Sequence, residues 1–222
     1  MGRSFYHAPR LAFVRLWLSG LALGVLIGWT LLVPRALAQE STFVPKAEHA
    51  ILLDADRNAV MFQHAADDLT PPASMSKLMT LAVVFKALRQ GTLQLTDEVT
   101  MSENAWRTGG APSGTSAMFV PINDKVTVDE LLQGIIVQSG NDACIAIAEA
   151  IAGTEEGFAQ IMTNEARRIG LKKSTFKNST GLPQADHMMT VRELAELARY
   201  LIKEYPDRFP MFAQREFKYR KH

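Results

Sequence analysis

Apolar positions alternate with polar ones only briefly along this chain and recur at helical spacing over most of it. Two short apolar runs, Ala50–Asp54 and Ala59–Phe62, flank the turn-like residues 56–58. This pattern is typical of a β-hairpin. Residues 39–48, which precede it, indicate a flexible lead-in.

The first predicted helix begins at or just before Ser74 and stops at Gly91. Its apolar face consists of residues at helical spacing, namely Leu78, Leu81, Ala82, Phe85 and Leu88. Capping-box patterns at Thr127–Glu130 and Thr190–Glu193 predict the starts of two further helices.

Two more helices are predicted between the capping boxes. The nearly apolar segment Asp142–Ile151 predicts a buried helix that ends near Gly153. The next helix should be capped by Gly170 and present one apolar face, formed by Phe158, Ile161, Met162 and Ile169. Short strands are predicted at Val99–Met101 and Ala117–Val120, and Glu216–Tyr219 alternates like the start of a further strand.

The N-terminal residues follow a separate pattern. Three arginines, Arg3, Arg10 and Arg15, precede the uncharged apolar run Leu16–Val33, and Ala36-Leu37-Ala38 follows it. This order favours a secretory signal peptide, residues 1–38, over the alternative of a retained membrane anchor. We therefore expect export to the periplasm or to the outer face of the cytoplasmic membrane.

Composition narrows the chemistry of the mature chain. Removal of residues 1–38 takes away four of the 24 basic side chains and none of the 23 acidic ones, which leaves a net charge of −3. A net negative chain argues against a nucleic-acid partner. The single cysteine, Cys144, lies in an apolar run and is expected to be buried and structural. No histidine has metal-ligand spacing, so we expect no metal and no cofactor.

The first candidate site is Ser74-Met75-Ser76-Lys77. Residues i and i+3 share a helix face, so the Lys77 amine would lie near the Ser74 hydroxyl. An amine whose pKa is lowered by burial could take the proton of that hydroxyl and make it a nucleophile. The alternative is structural, with Ser74 as an N-cap and Lys77 as a solvated charge.

The second candidate site is Ser139-Gly140-Asn141, a polar turn between two buried helices. The Ser139 hydroxyl could pass a proton, and the Asn141 amide could hold an amine on one side and a substrate amide on the other. The alternative is a helix-helix turn in which Asn141 is the N-cap.

Together the two motifs resemble the penicillin-recognising serine enzymes. The stretches Pro72–Thr80 and Gln138–Cys144, with Thr175–Leu182, are similar to the low-molecular-mass D-alanyl-D-alanine carboxypeptidases, the peptidase S11-like penicillin-binding proteins. The resemblance runs from about Ala47 to the end of the chain. It implies an α+β fold of the serine β-lactamase/DD-peptidase type, a helical subdomain plus an antiparallel sheet.

The third motif of these enzymes, Lys-Thr-Gly, does not occur in the 222 residues. In the family it lies on a later strand, so we expect residues 39–222 to be an incomplete catalytic domain, an N-terminal fragment whose C-terminal strands are absent. The missing strand would carry an oxyanion-hole donor and the cation that binds the substrate carboxylate. The resemblance therefore implies impaired activity for this chain.

The resemblance also implies roles for individual residues. Ser74 would be the nucleophile and Lys77 the base, Ser139 would relay a proton, and Asn141 would orient the substrate and Lys77. The substrate would be a peptidoglycan stem peptide that ends in D-Ala-D-Ala, and β-lactam antibiotics would inhibit. Alternatives are a β-lactamase, a DD-endopeptidase and a non-catalytic penicillin-binding sensor or cell-wall-binding module. Membrane association through a later C-terminal segment is a further expectation.

Overall fold

The computed structural model describes residues 45–220, so the predicted signal peptide lies outside the described residues. The α-helices of this part are α1 (Lys77–Gln90), α2 (Val128–Gln138), α3 (Asn141–Ala152), α4 (Glu155–Arg168) and α5 (Val191–Glu204). The strands are β1 (Ala50–Asp54), β2 (Ala59–His64), β3 (Glu98–Thr100) and β4 (Lys125–Thr127). Short 3₁₀ turns cover Ala73–Ser76, Ala111–Ser113 and Phe209–Ala213, and a π-helical turn covers Ala105–Gly109. Among these helices none combines the length and apolarity that a membrane crossing requires.

The strands form two small antiparallel sheets. Strand β1 pairs with β2, with a register shift between Leu52 and Leu53, and β3 pairs with β4. The predicted hairpin and the strand at Val99 are confirmed. The mixture of helices and antiparallel strands has the expected α+β character.

The strand predicted at Ala117–Val120 is wrong, and the partner of β3 lies later, at Lys125–Thr127. Phe119 has a φ of +62°, which is incompatible with extended backbone. Nearby backbone N–H groups donate to the carboxylate of Asp142 instead of to a neighbouring strand. A buried acceptor, invisible to local patterning, therefore overrides the β propensity of this segment.

The helices pack around α3, whose first eight residues, from Asn141 to Ala148, are all buried. The large side chains that are almost fully excluded from solvent include Phe85, Leu131, Leu132, Ile145, Ile147, Phe158 and Met162. Each such side chain contributes about 1.5–3 kcal/mol through burial. Cys144 belongs to this core, as expected, and burial raises the pKa of its thiol to about 12.

Helix ends follow the predicted chemistry with one exception. Gly91 closes α1 in the left-handed conformation, and the capping box at Thr127 is complete. At Thr190 only half of the box forms, because the Glu193 carboxylate accepts hydrogen bonds from Ser174 instead of from the helix start. Ile161, expected on the buried face of α4, is 37% exposed.

The strand predicted at Glu216–Tyr219 is also wrong. This segment follows the 3₁₀ turn Phe209–Ala213 without regular structure, although Tyr219 is buried. A strand is stabilised by pairing with a neighbour, and alternation in sequence does not supply one.

Candidate active site

Ser74 and Lys77 meet at the start of α1. The 3₁₀ turn Ala73–Ser76 continues directly into the helix, and in a 3₁₀ turn residues i and i+3 lie above one another. The Lys77 Nζ atom donates to Ser74 Oγ at 3.1 Å. Ala73, just before the serine, has a φ of +49°, a strained conformation for a residue with a side chain.

The two side chains have opposite environments. Ser74 is exposed, whereas Lys77 is only 4% exposed. Burial lowers the pKa of the Lys77 amine below its ordinary value. Among the described residues the amine has two hydrogen-bond partners, Ser74 Oγ and the Thr180 carbonyl at 2.7 Å, and both are uncharged oxygen atoms. An amine in this setting can be neutral and can accept a proton from the serine.

The Thr180 carbonyl reaches the amine because its loop packs closely against the turn that carries Ser74. Gly181 has a φ of +84°, and a Cβ at this position would lie 1.9 Å from the carbonyl oxygen of Ala73 and 2.6 Å from Ser76 Oγ. Only glycine permits this approach. Two segments about a hundred residues apart in sequence thus form one wall of the site.

Ser139 ends α2 in the left-handed conformation, with a φ of +55°. It is half-buried and lines a groove of about 330 Å³ together with Ser74 and Lys77. The rest of the groove is mainly apolar and includes Leu81, Ile135 and Phe212. The structure therefore brings three of the four predicted site residues to one groove.

Asn141 lies next to this motif but does not make the predicted contact with Lys77. It is the first residue of α3 and not its N-cap, which is Gly140. Its Nδ2 donates to Thr115 Oγ1 at 2.9 Å, and its backbone N–H donates to the carbonyl of Ser116. Its Oδ1 is buried and has no hydrogen-bond partner among the described residues. Such an acceptor is costly unless an incoming donor uses it.

Asp142, the next residue, holds the loop in front of α3. Its buried carboxylate accepts from the backbone N–H groups of Met118, Val120 and Ala143 at 2.8, 3.3 and 2.9 Å. Burial raises the pKa of Asp142, while these hydrogen bonds act in the opposite direction. A carboxylate at a helix N-terminus is also favoured by the helix dipole.

Three residues of the site were not singled out from the sequence, namely Thr115, Asp142 and Thr180. The polar run 113–116 and the Thr180-Gly181-Leu182 segment were visible signals, but their partners lie far away in sequence. Within residues 45–220 no cluster of three or more His, Cys, Asp or Glu side chains could hold a metal ion. The Lys77 amine and the Ser74 hydroxyl are the kinds of group that carry out proton transfer and nucleophilic attack.

Comparison with known proteins places this chain in a family. Residues 37–222 match the model of the D-alanyl-D-alanine carboxypeptidase family, Peptidase S11. The D-alanyl-D-alanine carboxypeptidase DacC of Escherichia coli is 38% identical over 208 residues, which cover 92% of this chain and 52% of the relative. DacF of Bacillus subtilis is 35% identical over 191 residues, which cover 84% of this chain and 47% of the relative.

A solved structure agrees with these relatives. Penicillin binding protein 5 from Haemophilus influenzae superposes with a TM-score of 0.77 at 33% identity, covering 81% of this chain and 52% of that protein. The chain belongs to the peptidase S11 family and has the serine β-lactamase/DD-peptidase-like fold. It spans about half the length of the curated relatives that it matches.

Proposed function

We propose that this protein is a serine-type D-Ala-D-Ala carboxypeptidase that removes the terminal D-alanine from peptidoglycan stem peptides. The observation that carries the proposal is the contact of 3.1 Å between the buried Lys77 amine and the exposed Ser74 hydroxyl. The similarity to relatives named as D-alanyl-D-alanine carboxypeptidases supports the choice of substrate.

In the proposed reaction Lys77 takes the proton of Ser74 as Oγ attacks the carbonyl carbon of the penultimate D-alanine. The amide bond then breaks, and a proton delivered through Ser139 leaves with the amine of the terminal D-alanine. Water hydrolyses the acyl-enzyme and restores Ser74. The free Oδ1 of Asn141 is available to accept a hydrogen bond from the substrate amide.

A β-lactam would enter the same reaction, because its strained amide stands in for the bond between the two D-alanines. Acylation of Ser74 would follow, with slow release. Peptidoglycan stem peptides and β-lactams are therefore the proposed partners, with no role for nucleic acid.

The proposed location is the periplasm or the outer face of the cytoplasmic membrane, after removal of residues 1–38. The order of the arginines, the apolar run and Ala36-Leu37-Ala38 supports it. N-terminal sequencing of the exported protein should give Gln39 as the first residue. An N-terminus that retains the apolar run would contradict the proposal and favour an anchor.

The test is covalent labelling by a fluorescent penicillin, performed on residues 39–222 and on any longer product that the gene encodes. We expect label on the peptide that contains Ser74, and we expect none in Ser74→Ala. Residues 39–222 alone should react slowly, without a burst, because they contain no Lys-Thr-Gly. Label on another residue, or no label on any form, would overturn the proposal.

The second candidate function is that of a DD-endopeptidase. A relative of that name from Haemophilus influenzae is 27% identical over 158 residues, which cover 71% of this chain and 51% of the relative. The same residues would cut a cross-link instead of a terminal bond. Product analysis decides between the two, since a carboxypeptidase releases D-alanine from a pentapeptide and an endopeptidase converts cross-linked dimers to monomers. Penicillin binding without either product would indicate a sensor or binding module.

A further inference from the structure

Asn178 lies outside the groove, yet its side chain organises the loop that contacts the base. Its Oδ1 accepts three hydrogen bonds, from Thr180 N–H at 3.2 Å, Thr180 Oγ1 at 3.1 Å and Gly181 N–H at 2.8 Å. Its Nδ2 donates to the Leu182 carbonyl at 2.9 Å and to Gln184 Oε1 at 3.2 Å. The residue is 8% exposed, and both ends of its side-chain amide have hydrogen-bond partners.

The bond from Gly181 N–H fixes the direction of the Thr180 carbonyl. This N–H and this carbonyl belong to one planar trans peptide group, in which they point to opposite sides. Asn178 holds the N–H on one side, so the carbonyl on the other side points to Lys77 Nζ, 2.7 Å away.

The residue before Thr180 is anchored separately. Ser179 donates to the Glu155 carboxylate through its N–H at 3.0 Å and its Oγ at 2.8 Å, and its carbonyl accepts from Thr80 Oγ1 at 2.6 Å. These bonds attach the loop to α4 and α1. They do not hold the next peptide group, which joins Thr180 to Gly181, so the orientation of that group depends on Asn178.

We infer that Asn178 is a positioning residue for the base, because it orients the peptide group whose carbonyl directs the Lys77 amine at Ser74. The inference deepens the proposed function and rests on it. One hydrogen of the amine is engaged by the Thr180 carbonyl, which leaves the lone pair free to face Ser74 Oγ. Asn178 itself touches neither substrate nor the reacting atoms.

The first experiment measures penicillin acylation at saturating concentration, which separates the first-order acylation constant from the binding constant. Asn178→Ala should lower the acylation constant by about 10- to 100-fold, because small misplacements of a reacting group are costly. The binding constant should change less than about twofold, since the groove is untouched. Asn178→Asp keeps the accepting oxygen but turns a second acceptor toward the Leu182 carbonyl, so it should recover part of the acylation rate.

Gln184→Ala is the matched control. It removes one partner of the Asn178 amide nitrogen and leaves the three bonds to Oδ1 in place. We expect its acylation constant to stay within about twofold of the unsubstituted protein. Thermal unfolding of all three variants identifies any that fail to fold. Equal losses in Asn178→Ala and Gln184→Ala, or no loss in either, would overturn the inference.

A second measurement does not depend on activity. The titration of Lys77 is followed by NMR in protein labelled at lysine with ¹³C and ¹⁵N. Its signal is assigned with Lys77→Arg. A carbonyl aimed at the amine favours the cation, so Asn178→Ala should lower the midpoint of this titration. The titratable group that faces Lys77 from α3 is Cys144. Its pKa of about 12 keeps the thiol uncharged over the lower pH range in which Lys77 titrates.

The two measurements separate the possible failures. An unsubstituted protein that is not acylated contradicts the proposed function, whereas the Lys77 midpoint still tests the role of Asn178. An acylated protein in which Asn178→Ala changes neither the acylation constant nor the midpoint contradicts the inference and leaves the proposed function standing.

Discussion

The two ends of α1 carry one lysine each, and the two lysines have different partners. Lys77, at the start, donates to the Ser74 hydroxyl and the Thr180 carbonyl. Lys86, toward the end, forms an ion pair of 2.6 Å with Glu165, which Arg168 also contacts. A carboxylate stabilises the cation strongly, whereas hydrogen bonds to neutral oxygens stabilise it less and burial disfavours it. The partners, and not the residue type, make one lysine a candidate base and the other a structural charge.

Replacement of each lysine by methionine should distinguish the candidate base from the structural charge most clearly. Lys77→Met retains the volume of the side chain but removes the base, so acylation should fall by about 10²–10⁴-fold. Lys86→Met should leave acylation within about twofold and lower the free energy of unfolding by about 1–3 kcal/mol, because Glu165 loses a partner. Labelling kinetics and urea unfolding measure the two effects. Equal acylation rates in the two variants would contradict the assignment of the base.

Gly181→Ala tests the contact that brings the Thr180 carbonyl to Lys77. The added Cβ would meet the Ala73 carbonyl, so the loop must move and acylation should fall roughly 10²-fold. Gly153→Ala is the matched control, since its φ of +78° is similar but nothing lies within 4 Å of its Cβ. The control should cost about 1–2 kcal/mol of stability through backbone strain and leave acylation unchanged. Similar acylation in both variants would show that the close approach is not needed.

The lowered pKa of Lys77 predicts a pH dependence of stability. Between that pKa and the ordinary value of 10.5, the unfolded chain binds a proton that the folded chain does not. The free energy of unfolding should therefore rise with pH across this window and show no pH dependence from Lys77 below it. Urea unfolding at several pH values should lose this slope in Lys77→Met but keep it in Lys86→Met. An unchanged slope in Lys77→Met would assign it to another group.

Glu165→Gln should have the smallest effect on activity. Burial would raise the pKa of Glu165, but hydrogen bonds from Arg168 and Lys86 lower it below its ordinary value of 4.5. Its stabilising contribution is thus complete above that value and is lost as the pH falls through the lowered pKa. The variant should lose this part of the acid sensitivity, seen by urea unfolding, while acylation stays within about twofold. A large loss of acylation would mean that the Lys86 end of α1 also supports the site.

The pattern of residues was sufficient for the hairpin, for the end of α1 at Gly91 and for the contact between Ser74 and Lys77. The helix start predicted near Ser74 is a 3₁₀ turn, and α1 itself begins at Lys77. Each depends on neighbours in sequence: a turn between two apolar runs, a glycine that ends a helix, and a spacing of three residues. The resemblance carried by the two serine motifs likewise led to the correct family.

Two predictions were wrong for a shared reason. They are the strand at Ala117–Val120 and the contact between Asn141 and Lys77. In both cases a polar group has several competing partners, and the one that is used lies far away in sequence. Asp142 draws the backbone of residues 118–120 out of extended geometry. Asn141 Nδ2 donates to Thr115, while its Oδ1, the atom that could accept from an amine, has no partner among the described residues. Likewise, the Thr180 carbonyl reaches Lys77 across 103 positions. Local spacing identifies which groups can react, but burial and long-range hydrogen bonds select the partner of each, because only the packed chain removes the competing water.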